Sequence, residues 1–307
     1  MYTARSSLSL NEVLPSVLDW SFDTISVHRL TGSKSLTYIT EEILKACVYY
    51  PNFAAEVFRV LGLAESDYNP STGSLVAYHN IMHGSDVCQA LLCMLLGPRL
   101  LLDEICVDPV RRELVLISSI FAASLHDYDH PGVTNSYLIE TRSPLAIQYA
   151  DLSVLENYHA VCALSLVDFE ALGLSKSESV FFRKLVIEMI LSTDLAKHET
   201  VLANSDISMC SKMCFALHCA DVSNTARNPQ ICSQWTHLIC EEFMQQAKLE
   251  KATPPKYLSA ADQIAFVDNI CFPLYIKLAL PECLENLQAN RKRWIDSTTL
   301  LACQKNG

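Results

Sequence analysis

Glycine is scarce in this chain, with eight in 307 residues. That argues against an all-β or a doubly wound fold, both of which spend glycine on tight turns and close backbone approaches. Alternating strand-like runs and hairpin dipeptides such as Asn-Gly are scarce too. Positive charge is the next shortage: 23 Lys and Arg stand against 34 Asp and Glu, a net charge of −11. A protein that grips nucleic acid without sequence preference needs a basic face, so no nucleic-acid partner is expected. An anionic small molecule stays open, because a metal site holds phosphate whatever the net charge.

Long apolar runs are missing as well. Leu91 to Cys106 is broken by Gly97, Pro98 and Arg99, and Leu114 to Leu125 covers only 12 residues. Neither spans a bilayer. The start, MYTARSSLSLNEV, lacks the apolar region of a signal peptide. Thirteen cysteines are present, but none forms a Cys-x-x-Cys pair. Cys88, Cys93, Cys162 and Cys271 sit in apolar stretches and read as reduced core thiols. The expectation is a soluble, intracellular, cytoplasmic chain with no membrane span.

What the chain has is helical periodicity. Leu114, Ile117, Phe121 and Leu125 recur at spacings of three and four, as do Trp235, Leu238, Ile239 and Phe243. Turn-rich stretches at Ser66–Ser74, Pro131–Thr134, Gly173–Ser179, Thr225–Pro229 and Thr253–Pro255 separate such segments, and none is long enough to be a domain linker. The spacing predicts one compact all-α domain of many medium helices. The pattern fades after Trp294, where the tail is expected to fray.

Three pieces carry chemistry. In AYHNIMHGSDV, His79 and His83 are four apart and would share one helix face. That pair alone also fits a structural role. In HDYDHPG, His126 and Asp127 end an apolar helix that Pro131 and Gly132 prevent from continuing. A helix C-terminus welcomes a histidine, but two aspartates are unfavourable there. In ALHCADVSN, Asp221 follows His218 by three in another apolar helix, where a buried carboxylate needs a partner. Together, two imidazoles and two carboxylates suit zinc. Further carboxylates and imidazoles suit waters on a second, harder ion. Two such ions are a known device for phosphoester hydrolysis.

In order along the chain, YHNIMHGSDV, HDYDHPGVTNSYL, YADLSVLENYH, LSTDLAKH, HCADVSN and DQIAFVDNICFPLY resemble the motifs of class I cyclic nucleotide phosphodiesterase catalytic domains. The early LDWSFD resembles that family's entry segment, so the resemblance runs from Leu18 to Trp294. The metal motifs alone are shared with the wider HD superfamily of metal phosphohydrolases; the ordered set is specific to the phosphodiesterases. It implies an all-α domain of about sixteen packed helices with a binuclear metal site in a deep cleft. Residues 18–297 would form the catalytic domain, after an amino-terminal extension over 1–17 and before a tail over 298–307.

Position by position, His83, His126, Asp127 and Asp221 resemble the ligands of a Zn2+ ion. Asp127 would also bridge to Mg2+ or Mn2+ at a second site. His130, Asn135 and Thr193 match positions that order the metal waters. His79 resembles the general acid that protonates the leaving O3′, and Glu156 is the candidate for ordering the catalytic water. Asn224 and Gln263 would hydrogen-bond the purine. Phe266 and Ile239 would clamp its faces, with Leu195 and Phe243 nearby. The implied reaction is hydrolysis of cAMP, with cGMP as a second substrate, by attack of a hydroxide held between the ions. Regulation, membrane recruitment and dimerisation are expected of regions outside this chain.

The chain departs from the family pattern at several positions. Thr225 stands where a proline often follows the asparagine, so the loop Thr225–Gln234 is expected to be more mobile. Tyr158 stands where a histidine is common, Ala150 where an asparagine is, and Tyr128 where an aliphatic residue is. The ring of Tyr128 could enter the metal cleft or pack away from it. Asp129 is expected to be structural. Eight residues past Asn224, where adenine-selective relatives carry a tyrosine that helps lock the glutamine, this chain has Cys232. Two alternatives stay open: another HD-type nucleotide phosphohydrolase, or a non-catalytic cyclic-nucleotide-binding module.

Overall fold

The computed structural model describes residues 17–72, 76–97, 101–250 and 259–305, with side chains as far as Asp296. The expected amino-terminal extension before Val17 and the turn stretch Thr253–Pro255 lie outside the described residues. Everything regular among the described residues is helical. The α-helices are α1 (Thr24–Leu30), α2 (Ser35–Lys45), α3 (Pro51–Ser66), α4 (Ile81–Leu96), α5 (Leu101–Ile105), α6 (Pro109–Leu125), α7 (Asn135–Glu140), α8 (Pro144–Gln148), α9 (Val154–Ser165), α10 (Lys176–Leu191), α11 (His198–Asn204), α12 (Met209–Asp221), α13 (Pro229–Leu249), α14 (Ala260–Phe266), α15 (Phe272–Leu278) and α16 (Pro281–Lys305).

Local signals set the boundaries. Side-chain oxygens of Asn80, Asp108, Thr134, Ser175, Ser208 and Asn228 each accept a first-turn backbone N–H. Such caps satisfy donors that a helix start leaves orphaned. Pro109 and Pro229 add rigidity at the first helical position.

Helices α4, α6, α10 and α12 build the centre. Leu91, Ile117, Phe121, Phe182, Met189 and Leu217 are all fully buried there. Phe182 meets Phe53 and Phe121 edge-on at 4.9 and 5.4 Å. Each such side chain contributes roughly 1.5–3 kcal/mol by leaving water. Gly84 lets α4 come close to the end of α6: a Cβ there would stand 2.6 Å from the Ser124 carbonyl oxygen and 2.8 Å from the Tyr68 hydroxyl. This close approach places His83, one residue earlier, beside His126. Arg227 is fully buried and paired: Asp86 Oδ1 lies at 3.1 Å, Gln89 Oε1 at 2.6 Å and the Trp20 carbonyl at 2.8 Å. A buried charge so satisfied fixes the amino-terminal segment against α4.

Two expectations need correction. The mobile loop expected at Thr225–Gln234 is a 3₁₀ turn over Ser223–Ala226 followed, after Arg227 and the cap residue Asn228, by α13. Thr225 and Ala226 are buried, and tertiary hydrogen bonds from α16 hold this segment where a proline would otherwise stiffen it. The tail expected to fray past Trp294 continues α16 to Lys305. No glycine or proline interrupts residues 282–305, so nothing stops the helix once its buried first half is anchored by Cys283 and Leu287.

Candidate active site and metal centre

A cleft of about 940 Å³ opens between α9, α12, α13 and α14. His79, Asp127, His130, Asn135, Glu156, Thr193, Leu195 and Asp221 line it, as do Asn224, Ile239, Phe243, Gln263 and Phe266. His83 and His126 are buried at its floor. Every site residue expected from the sequence is therefore in one place.

At the floor, His83, His126, Asp127 and Asp221 bring one ligand atom each within 4.8 Å of one another. His126 Nε2 lies 3.1 Å from both Asp221 Oδ1 and Asp127 Oδ2. His83 Nε2 lies 3.1 Å from Asp221 Oδ1 and 3.4 Å from Asp127 Oδ2. His126 Nδ1 donates to the Ala123 carbonyl at 2.9 Å, which leaves Nε2 as the ring's lone pair in the neutral form. Two imidazole nitrogens and two carboxylates thus converge on one point, an arrangement that suits a cation. Burial pulls His126 down, but Asp127 and Asp221 outweigh it and hold the ring well above its ordinary value. Asp127 is pushed up by burial and down further by His126 and His83, and it ends well below the usual carboxylate range. The donor set fits a metal ion.

Above this floor the structure differs from the helix-face expectation for His79. Asn80 caps α4, so His79 precedes the helix and does not share a face with His83. Its Nδ1–H donates instead to Glu242 Oε1 on α13. Glu242 Oε2 accepts the backbone N–H groups of Tyr78 at 2.8 Å and His79 at 3.0 Å. Burial lowers the His79 pKa, yet Glu242 foremost, with Asp127 and Asp221, raises it to about 9. Glu242 was not singled out from the sequence. Its only signal is its place on the Ile239–Phe243 face of an amphipathic helix, which says "buried" and not "paired with His79".

His130 stacks on His79 with ring centroids 4.0 Å apart and planes at 19°. His79, His130 and Glu242 also bring ligand atoms within 4.8 Å of one another, but stacked rings aim their lone pairs in parallel. This trio therefore suits a proton better than an ion. His130 Nδ1 accepts the Gly132 N–H at 3.0 Å, and burial with the nearby His79 charge keeps the ring neutral.

Glu156 accepts both bonds from Asn135 Nδ2, at 3.2 and 3.0 Å, and Asn135 Oδ1 accepts the Leu155 N–H. Burial, with Asp194 nearby, raises Glu156 to about 7. Glu156 makes no hydrogen bond to His79 among the described residues. His159, also missed from the sequence, donates from Nδ1 to the Tyr128 carbonyl at 2.8 Å, and its Nε2 sits 3.7 Å from Asp127 Oδ1. Thr193 Oγ1 is turned to the Ile190 carbonyl, and Leu195 stands half exposed at the rim. His218 faces away from the cluster, bonded to the Ser192 carbonyl and to His198.

Among the departures, Tyr128 packs edge-on against Tyr68 at 5.5 Å and stays out of the cleft. Tyr158 donates to Asp129 Oδ2, while Ser71 N and Oγ donate to the same carboxylate at 2.8 and 2.6 Å. Asp129 is thus a structural tie, as expected. On the apolar wall, Asn224 Nδ2 donates to the Tyr78 hydroxyl. The Gln263 side-chain amide has no hydrogen-bond partner among the described residues. Cys232 is buried away from the main cleft, beside a separate cavity of about 170 Å³ shared with Asn290 and Arg293. Burial pushes its thiol up to about 11.

Comparison with known proteins agrees with this geometry. The family profile for 3',5'-cyclic nucleotide phosphodiesterase matches residues 78–292. The chain is 32% identical to the 3',5'-cyclic-AMP phosphodiesterase 4C of Rattus norvegicus, over 91% of this chain and 57% of that protein. It is also 32% identical to the probable 3',5'-cyclic-AMP phosphodiesterase pde-4 of Caenorhabditis elegans, over 91% of this chain and 46% of that protein. The Mus musculus 3',5'-cyclic-AMP phosphodiesterase 4C matches at 32% over 91% of this chain and 45% of its own length. The chain spans about half the length of these curated relatives.

Proposed function

The chain belongs to the 3',5'-cyclic nucleotide phosphodiesterase family, and on that footing we propose that it hydrolyses cAMP, and cGMP as a second substrate, to the 5′-nucleoside monophosphate. One observation carries the reading: a histidine–carboxylate cluster able to hold metal and a carboxylate-supported His79 share one cleft with an amide- and aromatic-lined wall. Residues 18–297 form the catalytic domain in this reading.

His83, His126, Asp127 and Asp221 would hold Zn2+, with Asp127 extending to Mg2+ or Mn2+ at a second site. The bound ions would polarise the phosphoryl oxygens and activate water for in-line attack. His130, Asn135, Glu156 and Thr193 would orient that water through their polar atoms. His79, kept protonated by Glu242, would give its Nε2 proton to the departing O3′. Adenine offers a donor at N6 and an acceptor at N1; Asn224 Oδ1 and the Gln263 amide would meet them. Phe266 and Ile239 would cover the two faces of the ring, with Phe243 and Leu195 flanking it. An unpinned Gln263 can turn over to suit guanine. No helix among the described residues is long and apolar enough to cross a membrane, and the described cysteines are all free thiols, which suits a reducing cytoplasm.

The test is hydrolysis of cAMP and cGMP by the purified chain, with Zn2+ and Mg2+ or Mn2+ supplied and with a chelator. We expect 5′-AMP and 5′-GMP to form only with metal. A metal-loaded chain that bound cAMP without turnover, or cleaved only non-cyclic nucleotides, would overturn the proposal.

A further inference from the structure

Asn290 and Arg291 are neighbours on α16, and neither lines the cleft. Asn290 is buried, and its Nδ2 donates to the carbonyls of Thr225 at 2.8 Å and Arg227 at 2.9 Å. Those carbonyls belong to the segment that begins directly after Asn224. Arg291 donates from Nε and Nη2 to the two oxygens of Asp268 at 2.6 and 2.8 Å, a forked pair. Asp268 lies in the π-helical turn Val267–Cys271, which starts directly after Phe266. Adjacent residues on a helix point about 100° apart, so one turn of α16 reaches both segments. Thr225 Oγ1 also donates to Cys271 Sγ at 3.2 Å, joining the two segments to each other.

The π turn explains why such a strut is needed. An inserted residue shifts the helix register between α14 and α15. Gln263 and Phe266 thereby face the cleft while Leu274 and Tyr275 bury in the core. A π turn is a poor helix by itself and holds its register through what it is tied to.

We infer that Asn290 and Arg291 are positioning residues that set the spacing between the Asn224 wall and the Gln263–Phe266 wall, and with it the affinity for the base. The inference rests on the reading of those walls as the purine pocket. The Arg291–Asp268 pair is separate from α4, α6 and α12, which carry the metal-type side chains, so it acts on substrate binding rather than on the chemical step.

The test uses the full chain with metals supplied, comparing Arg291→Asp, Asp268→Arg and the double exchange, with Phe266→Ala as a check on the pocket. Each single exchange is expected to raise KM for cAMP about fivefold or more, the scale of a lost half-exposed forked pair, with kcat within about twofold. The double exchange restores the pair in reverse and should return KM toward the wild-type value. Asn290→Ala should raise KM as well and lower Tm, because it strands two buried carbonyls. Unchanged KM in both single exchanges overturns the inference, as does a joint loss of kcat and Tm that the double exchange does not rescue. If Phe266→Ala leaves KM untouched for both nucleotides, the pocket reading fails instead.

Discussion

His79 and Glu242 lie 163 positions apart and share a hydrogen bond between Nδ1 and a carboxylate oxygen. The same carboxylate accepts the backbone N–H of His79, so ring and main chain are held by one group. Ions held beside Asp127 and Asp221 would offset those two charges, leaving Glu242 to sustain the imidazolium.

The folded pKa of His79 is raised to about 9 from 6.5. Its contribution to stability is therefore complete below 6.5 and lost as pH rises through about 9. For catalysis, the alkaline limb of the kcat profile should lie above 6.5 in the wild type. In Glu242→Gln burial prevails, the limb should move below 6.5, and activity at neutral pH should fall about 10²-fold or more. An unmoved limb would show that Glu242 does not support the acid.

Gly84→Ala should disturb the cluster without touching a ligand. A Cβ 2.6 Å from the Ser124 carbonyl must push α4 from α6, at a cost of about 1–3 kcal/mol. Lower Tm together with weaker zinc retention in dialysis is expected. Lower Tm with unchanged zinc affinity would mean that the close approach serves packing alone.

Gln263 is the expected seat of base choice. With Cys232 buried as a neutral thiol away from the cleft, nothing among the described residues pins the amide. The ratio of kcat/KM for cAMP over cGMP should stay below about 10³, roughly 4 kcal/mol. Cys232→Tyr should raise that ratio if the ring reaches Gln263. A wild-type ratio above that bound rules out a freely turning glutamine.

Ala279 closes α15 at φ 54° and ψ 46°, the left-handed region. It is exposed, so a glycine there loses no packing. Ala279→Gly should stabilise the chain by about 0.5–1 kcal/mol and raise Tm by about 1–3 °C, read by calorimetry. No gain would indicate that the unfolded-state freedom of glycine cancels the relief.

Much of the site was legible because its chemistry is concentrated in short runs. His126 and Asp127 are adjacent, Asp221 follows an apolar helix, and a charge so placed demands explanation from the sequence alone. The all-helical class was legible too, from periodicity and from scarce glycine. Glu242 was not, because a carboxylate on an amphipathic helix looks alike whether it meets water or an imidazole. The i, i+4 reading of His79 and His83 failed for a local reason: Asn80 is a strong cap, and the helix starts at Ile81, two residues past His79.

The sequence by itself determined which segments are helices and which side chains are expensive to bury, since propensity, capping and periodicity act over a few residues. Only the tertiary structure decided the partners. That Glu242 bonds His79, that Asp129 is tied to Ser71 and Tyr158, and that α16 bonds the segments following Asn224 and Phe266 are long-range facts. They depend on which helices approach, and that is set by shape, as at Gly84, through contacts that no local pattern records.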